Sequence, residues 1–212
     1  MESNNVKLVW STPEGEQLIA KMARVSNPEN QHNPESSKLI RYLIKNDHWS
    51  PFEMVNVCME ISTTRDIARQ ILRHRSFSFQ EFSQRYAEVY GFEKAETRLQ
   101  DPKNRQNSLP NTNNALNGWW LDQQGMVIAQ AQKAYERALE YGIAKEVARK
   151  VLPEGLTMSK MYMNGTLRSW IHYCQIRCDI ATQKEHREVA YECYDILDGL
   201  FPNVMSAIPE RI

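Results

Sequence analysis

The run Arg73-His74-Arg75-Ser76-Phe77-Ser78-Phe79-Gln80-Glu81-Phe82-Ser83-Gln84-Arg85-Tyr86 constrains the fold of this chain more than any other stretch. It holds three arginines, a histidine, a glutamate and three serines. Charged side chains are almost never fully buried without partners, so this run cannot serve as a core element. It has to lie along a wall, with its guanidinium and hydroxyl groups turned to water or to a ligand. Arginine's planar fork suits phosphate bidentately, and serine hydroxyls finish such a shell. The run therefore predicts a grip for a polar, anionic small molecule.

The remainder has to supply a scaffold for that wall. A chain of 212 residues is expected to form one domain, 1–212, with a sizeable core. Its 42% hydrophobic and 25% charged residues are ordinary for a soluble protein. Twenty-six Lys and Arg balance 26 Asp and Glu, so no global field gathers nucleic acid or an anionic membrane, and any positive site is local. Cys58, Cys174, Cys178 and Cys193 read as reduced core thiols in a cytoplasmic setting. Around Cys174 and Cys178 no second pair or flanking histidine completes a zinc set, so no metal site is expected. Met1-Glu2-Ser3-Asn4-Asn5 has no basic region followed by an apolar run, and no window reaches a membrane span.

Val6 to Trp10 reads as a first strand. Thr12-Pro13-Glu14 and Asn33-Pro34-Glu35 each read as a helix start, with Leu18, Ile19, Met22 and Val25 inward on the first helix and Leu39, Ile40, Leu43 and Ile44 on the second. Asp47 to Pro51 breaks the second helix. Phe52 to Thr63 reads as a strand with Val55, Val57, Met59 and Ile61 on one face, and Thr64 caps a third helix. A polar, turn-rich stretch of about 90–118 follows the opening run. Helices are then expected at Trp119–Tyr141 and Ala144–Leu152, a strand at Leu156–Met163, and helices at Leu167–Arg177 and Glu185–Phe201. Strands and helices do not alternate as βαβ units, which predicts an α+β fold: a small, mostly antiparallel sheet packed by helices.

On the third helix Arg65, Arg69 and Arg73 stack at four-residue spacing, as do Gln70 and His74. Alone, that pattern is more often a solvated basic face. The continuation through Arg85 favours a ligand site, with Glu81 either neutralising the cations or accepting from a ligand. Ser83 is a poor nucleophile candidate, because no adjacent base or orienting third group is in view, and a ligand contact suits it better. His48 in its turn reads as a structural histidine. Arg168 and His172 form a polar helix edge, and Arg149 complements a helix C-terminus. A non-catalytic RNA- or nucleotide-binding patch is the rival reading. Neutral net charge and the lack of regularly spaced exposed aromatics argue against it.

Arg73, His74, Arg75, Ser78, Ser83 and Arg85 follow the pattern Arg-His-Arg, two residues, Ser, four residues, Ser, one residue, Arg. That pattern resembles the signature of flavin-dependent thymidylate synthases. Ala23-Arg24-Val25-Ser26, His48 to Glu53, Ala68-Arg69-Gln70, Ala148 to Pro153, Leu167 to Trp170 and Ile176-Arg177 are similar to family segments in family order. The resemblance implies methylation of dUMP to dTMP, with carbon from methylenetetrahydrofolate and electrons from NADPH through FAD. It also implies a homotetramer whose active sites draw on more than one subunit, with neither nucleic acid nor membrane as partner. By position, Gln70, Arg73, Glu81, Ser83, Gln84, Arg85, Arg149 and Arg177 would contact dUMP. Ser50, Arg73, His74, Arg75, Glu81, Thr166, Arg168 and His172 would contact FAD, and His48 would lie near flavin and folate. Arg177 would be catalytic, stabilising uracil ionised at its ring imide. The chain departs from the pattern at Gln80 and Met54, where the family often has Asn and His, and at His172 and Ala181, where some members have Asn and a flavin-contacting His.

Overall fold

The structure is a computed structural model and describes residues 5–208; Met1 to Asn4, read above for a secretory signal, lie outside the described residues. In chain order the elements are β1 Val6–Ser11, α1 Gly15–Ala23, α2 Ser37–Lys45, β2 Asn56–Thr64, α3 Arg65–Ile71, β3 Ser78–Glu81, β4 Arg98–Gln100 and β5 Ser108–Pro110. They continue with α4 Asn114–Glu140, α5 Lys145–Ala148, β6 Met158–Thr166, α6 Leu167–Arg177, α7 Lys184–Leu200 and α8 Pro202–Met205. One sheet runs β1-β2-β6-β3, and β4 and β5 form a separate ribbon. β1 is antiparallel to β2, with Val6 opposite Ile61, and β4 is antiparallel to β5. The fold is α+β, as the element order predicts. No helix among the described residues is long and apolar enough to cross a membrane.

The chain divides into two compact units, 1–61 with 74–79 and 162–212, and 62–73 with 80–161. In the first unit Val55, Val57, Met59 and Ile61 are wholly buried, the face their alternation predicts. Trp170 on α6 is also fully buried, and its indole Nε1 donates to the Val57 carbonyl at 3.0 Å. Thr166 caps α6 by accepting from the Ser169 amide at 3.3 Å. The buried carboxylate of Glu16 accepts from the Asn203 amide at 2.7 Å, from its side-chain Nδ2 at 2.6 Å and from the Val204 amide at 3.1 Å. These bonds cap α8 and account for Glu16 structurally. In the second unit the buried Gln124 of α4 both accepts from and donates to the backbone of Ala95, at 2.7 and 3.0 Å. α4 is thereby tied to the chain that precedes it.

Several boundaries differ from expectation for local reasons. α1 begins at Gly15, because Glu14 takes a left-handed conformation, φ 51°. Thr12 bonds to the backbone of Asn56 instead of capping the helix. Met22 and Val25 are exposed, so the buried face of α1 is Ile19 and Ala20. Arg24 donates to the carbonyls of Asn33 and Glu35 at 2.6 and 2.5 Å, which holds that stretch out of the helix until Ser37. Pro51 lies in a 3-10 turn, Ser50–Met54, so β2 starts only at Asn56. Asn113 caps α4 by accepting from the Leu116 amide at 3.1 Å, which places the end of the polar stretch in a helix. Gly142, at φ +76°, lies just beyond the C-terminus of α4, as its position predicts. The four cysteines are free; Cys58, Cys174 and Cys193 are buried and Cys178 is half-buried.

Candidate functional site

The opening run contains a strand that its composition hides. Phe77 packs inward at 8% exposure, edge-on to Trp170 with ring centroids 4.9 Å apart. From there exposure alternates along Ser78, Phe79, Gln80 and Glu81. One apolar anchor thus sets the register of a polar strand.

In the second unit α3 carries Gln70, Arg73 follows two residues beyond its end, and Phe82 donates its backbone N–H to the Lys160 carbonyl at 2.8 Å. Ser159, wholly buried on β6, donates to Glu81 Oε1 at 3.0 Å and fixes that carboxylate. Arg69 pairs with Glu154 at 2.8 Å and Arg85 with Glu146 at 3.2 Å. The bond to Glu154 is the main cause raising the Arg69 pKa, with the Glu81 charge adding to it. The Arg85–Glu146 pair draws the chain after β3 toward α5, which runs on into the 3-10 turn carrying Arg149. The guanidiniums of Arg73 and Arg149 have no carboxylate partner among the described residues. Ser83 Oγ accepts from the Arg85 amide at 3.4 Å. Gln84 is 3% exposed, and its Nε2 finds no hydrogen-bond acceptor among the described residues. A buried donor without a partner is costly, and a ligand oxygen would relieve that cost.

The first unit holds His48, Ser50, His74, Arg75, Thr166, Arg168, His172 and Arg177. A cavity of about 530 Å³ is lined by Asp47, Trp49, Glu53, Ser76, Arg168, Ser169, Ile171, His172 and Gln175. Arg168 and His172 are therefore on its wall, whereas His48, Ser50, His74, Arg75, Thr166 and Arg177 are not among its lining residues. Arg168 forms an ion pair with Glu53, and Ser169 Oγ donates to the Ser76 carbonyl at 3.4 Å. His48 is exposed and edge-on to Tyr42, with centroids 5.9 Å apart. Thr166 is occupied as the cap of α6. Arg177, in the last turn of α6, donates from Nε to His74 Nε2 at 2.9 Å. Burial first, then the nearby Arg177 and His172, pull the His74 pKa down to about 4. No group of three or more metal-ligating side chains is found among the described residues.

Sequence reasoning did not pick out Ser159, Glu146, Glu154, Tyr173 or His186. Ser159 had a signal: it shares an inward strand face with Met161 and Met163, where a hydroxyl needs a partner. The glutamates had none, because their partners are distant in sequence.

Fold and site together define an α+β protein with an arginine-rich wall. Residues 7–203 match the family described as thymidylate synthase complementing protein, and the chain belongs to that family. It is 52% identical to a flavin-dependent thymidylate synthase of Synechocystis sp. over 93% of this chain and 90% of that protein. A probable flavin-dependent thymidylate synthase of Paramecium bursaria Chlorella virus 1 is 48% identical, over 91% of this chain and 90% of that protein. Among solved structures, the UMP/dUMP methylase PolB from Streptomyces cacaoi, bound with 5-Br dUMP, is similar at a TM-score of 0.84 and 29% identity. That likeness covers 95% of this chain and 93% of the methylase chain.

Proposed function

We propose that this protein is a flavin-dependent thymidylate synthase that methylates dUMP to dTMP, using methylenetetrahydrofolate as carbon donor and NADPH as electron donor through bound FAD. The observation that carries the reading is the pair of guanidiniums, Arg73 and Arg149, left without a carboxylate partner among the described residues of a wall that pairs Arg69 and Arg85. A nucleotide monophosphate brings about two negative charges, and such cations match them in a partly dry site.

Arg73, Arg85 and Arg149 hold the phosphate. Ser83 and the unpartnered Nε2 of Gln84 donate to ligand oxygens, and Gln70 adds an amide. Glu81, held by Ser159, accepts from ligand hydroxyl groups. Arg177 carries a guanidinium in the last turn of α6. It favours uracil with the proton removed from its ring imide, without itself transferring a proton.

The residues of the first unit fit a flavin dinucleotide. The cavity wall offers a guanidinium at Arg168, hydroxyls at Ser76 and Ser169, an imidazole at His172 and an indole at Trp49. The Glu53 carboxylate now paired with Arg168 marks where an anionic group is favoured. His74, Arg75, Ser50 and Thr166 complete the contacts to that cofactor, Arg73 and Glu81 touch both ligands, and His48 stands near flavin and folate. Bound flavin supplies the electron transfer; the protein orients it against the pyrimidine. The active form is a homotetramer with sites built from more than one subunit, working in the cytoplasm.

The test is direct. Purified protein supplied with FAD is expected to turn yellow, to bleach with NADPH and to form dTMP from dUMP and methylenetetrahydrofolate. Folded protein that neither takes up FAD nor makes dTMP would sink this reading.

A further inference from the structure

Two fully buried polar side chains have no part in the chemistry above. Tyr173 on α6 and His186 on α7 are both 0% exposed, and Tyr173 Oη stands 3.2 Å from His186 Nε2. Tyr173 lies four residues before Arg177, so both project from one face of α6. The His74 ring is edge-on to Tyr173 with centroids 5.0 Å apart, and edge-on to His186 at 6.4 Å. His74 Nε2 in turn accepts from Arg177 Nε at 2.9 Å. Two helices, α6 and α7, thus meet around one imidazole, and that imidazole holds the arginine.

The bond fixes the protonation of His74. To accept at Nε2 the ring must be neutral with its hydrogen on Nδ1. It also fixes which end of Arg177 remains for a ligand. A guanidinium held by Nε keeps both terminal amino groups, side by side in one plane, for an external acceptor.

We propose that His74, backed by the buried Tyr173–His186 pair, is a positioning residue that grips Arg177 by Nε and aims its two terminal amino groups at the oxygen and ring nitrogen of an ionised pyrimidine imide. This rests on the reading of dUMP as substrate. The groups facing His74 are Arg177, His172, Tyr173 and His186. Burial, then Arg177 and His172, keep the ring in its accepting form across the neutral range.

The test is a double-mutant cycle on the FAD-loaded enzyme with equilibrium binding of dUMP as a second readout. His74→Leu is expected to lower turnover about 100-fold at saturating FAD and to weaken dUMP, whereas His74→Gln, which keeps an acceptor near Nε2, recovers about tenfold of that loss. In an Arg177→Lys background, which has no Nε–H to hold, His74→Leu is expected to cost less than about twofold more. Tyr173→Phe keeps the packing and removes the hydroxyl. It is expected to lower turnover about threefold with Arg177 present and not at all with Lys there. Equal losses in both backgrounds, or turnover that simply tracks flavin occupancy, would overturn the proposal. Wild-type protein that binds no dUMP would instead bring down the substrate reading and this inference with it.

Discussion

Position 81 places a carboxylate among cations, and what it does depends on how it is held. Ser159 donates to Glu81 Oε1 from a fully buried position, so the carboxylate cannot swing freely between the nearby arginines. A hydrogen bond to a charged group is worth about 1.5–3 kcal/mol. Ser159→Ala is therefore expected to lower Tm by roughly 3–12 °C and kcat/KM for dUMP by roughly tenfold, read by a thermal melt and by steady-state kinetics on protein still folded at the assay temperature. An unchanged kcat/KM would mean that Glu81 needs no fixing. Arg177 plays the complementary part of a cation oriented from behind. Arg177→Ala is expected to leave flavin binding largely intact and to cut turnover by about 10²–10³. Loss of FAD with unchanged nucleotide chemistry would reverse that assignment.

At the scale of elements, one close approach decides where the signature run lies. A Cβ on Gly165 of β6 would come within 2.6 Å of Phe77 Cε1, so β6 must be bare there for the Phe77 ring to enter the core. Phe77 lies three residues after His74, and its ring also packs edge-on against Tyr173 with centroids 6.1 Å apart. Gly165→Ala is expected to overpack this spot at a cost of about 1–3 kcal/mol. That corresponds to a fall in Tm of about 2–4 °C per kcal/mol for a chain of this size. Flavin affinity should fall with it, because the shifted ring carries His74 and Arg75 along. A melt and a flavin titration on the same variant read both effects. A parent-like Tm and affinity would show that the ring can move aside without disturbing the run.

At the scale of the whole molecule, acid should act through buried histidines. The His74 pKa is lowered to about 4 and that of His186 to about 3, in both cases first by burial and then by Arg177. An unfolded histidine takes up its proton near 6.5. Between that pH and the folded values the unfolded chain binds more protons than the folded one, so stability falls as the solution is acidified. The melting temperature is expected to drop from pH 7 toward pH 4, and His186→Gln to flatten that slope. A slope unchanged by His186→Gln would place the acid sensitivity elsewhere. Light scattering tests the proposed homotetramer of 24.8 kDa chains, and a stable monomer at assay concentration would contradict it.

Local periodicity made much of the fold legible. Val55, Val57, Met59 and Ile61 alternate and are buried together, and α6 starts after Thr166 and ends at Arg177 as its cap and pattern require. β3 was not legible, because four residues with two polar outward positions carry no apolar alternation, and only Phe77 beside them sets its register. The start of α1 escaped for a similar reason: Thr12 spends its hydroxyl on Asn56, a partner far along the chain. The sequence alone determined which residues could grip an anion, since charge, fork geometry and spacing are properties of the residues themselves. Tertiary structure decided how each is held. The bonds from Ser159 to Glu81 and from Arg177 to His74 join residues 78 and 103 positions apart, and contacts at such separations exist only once the chain has folded.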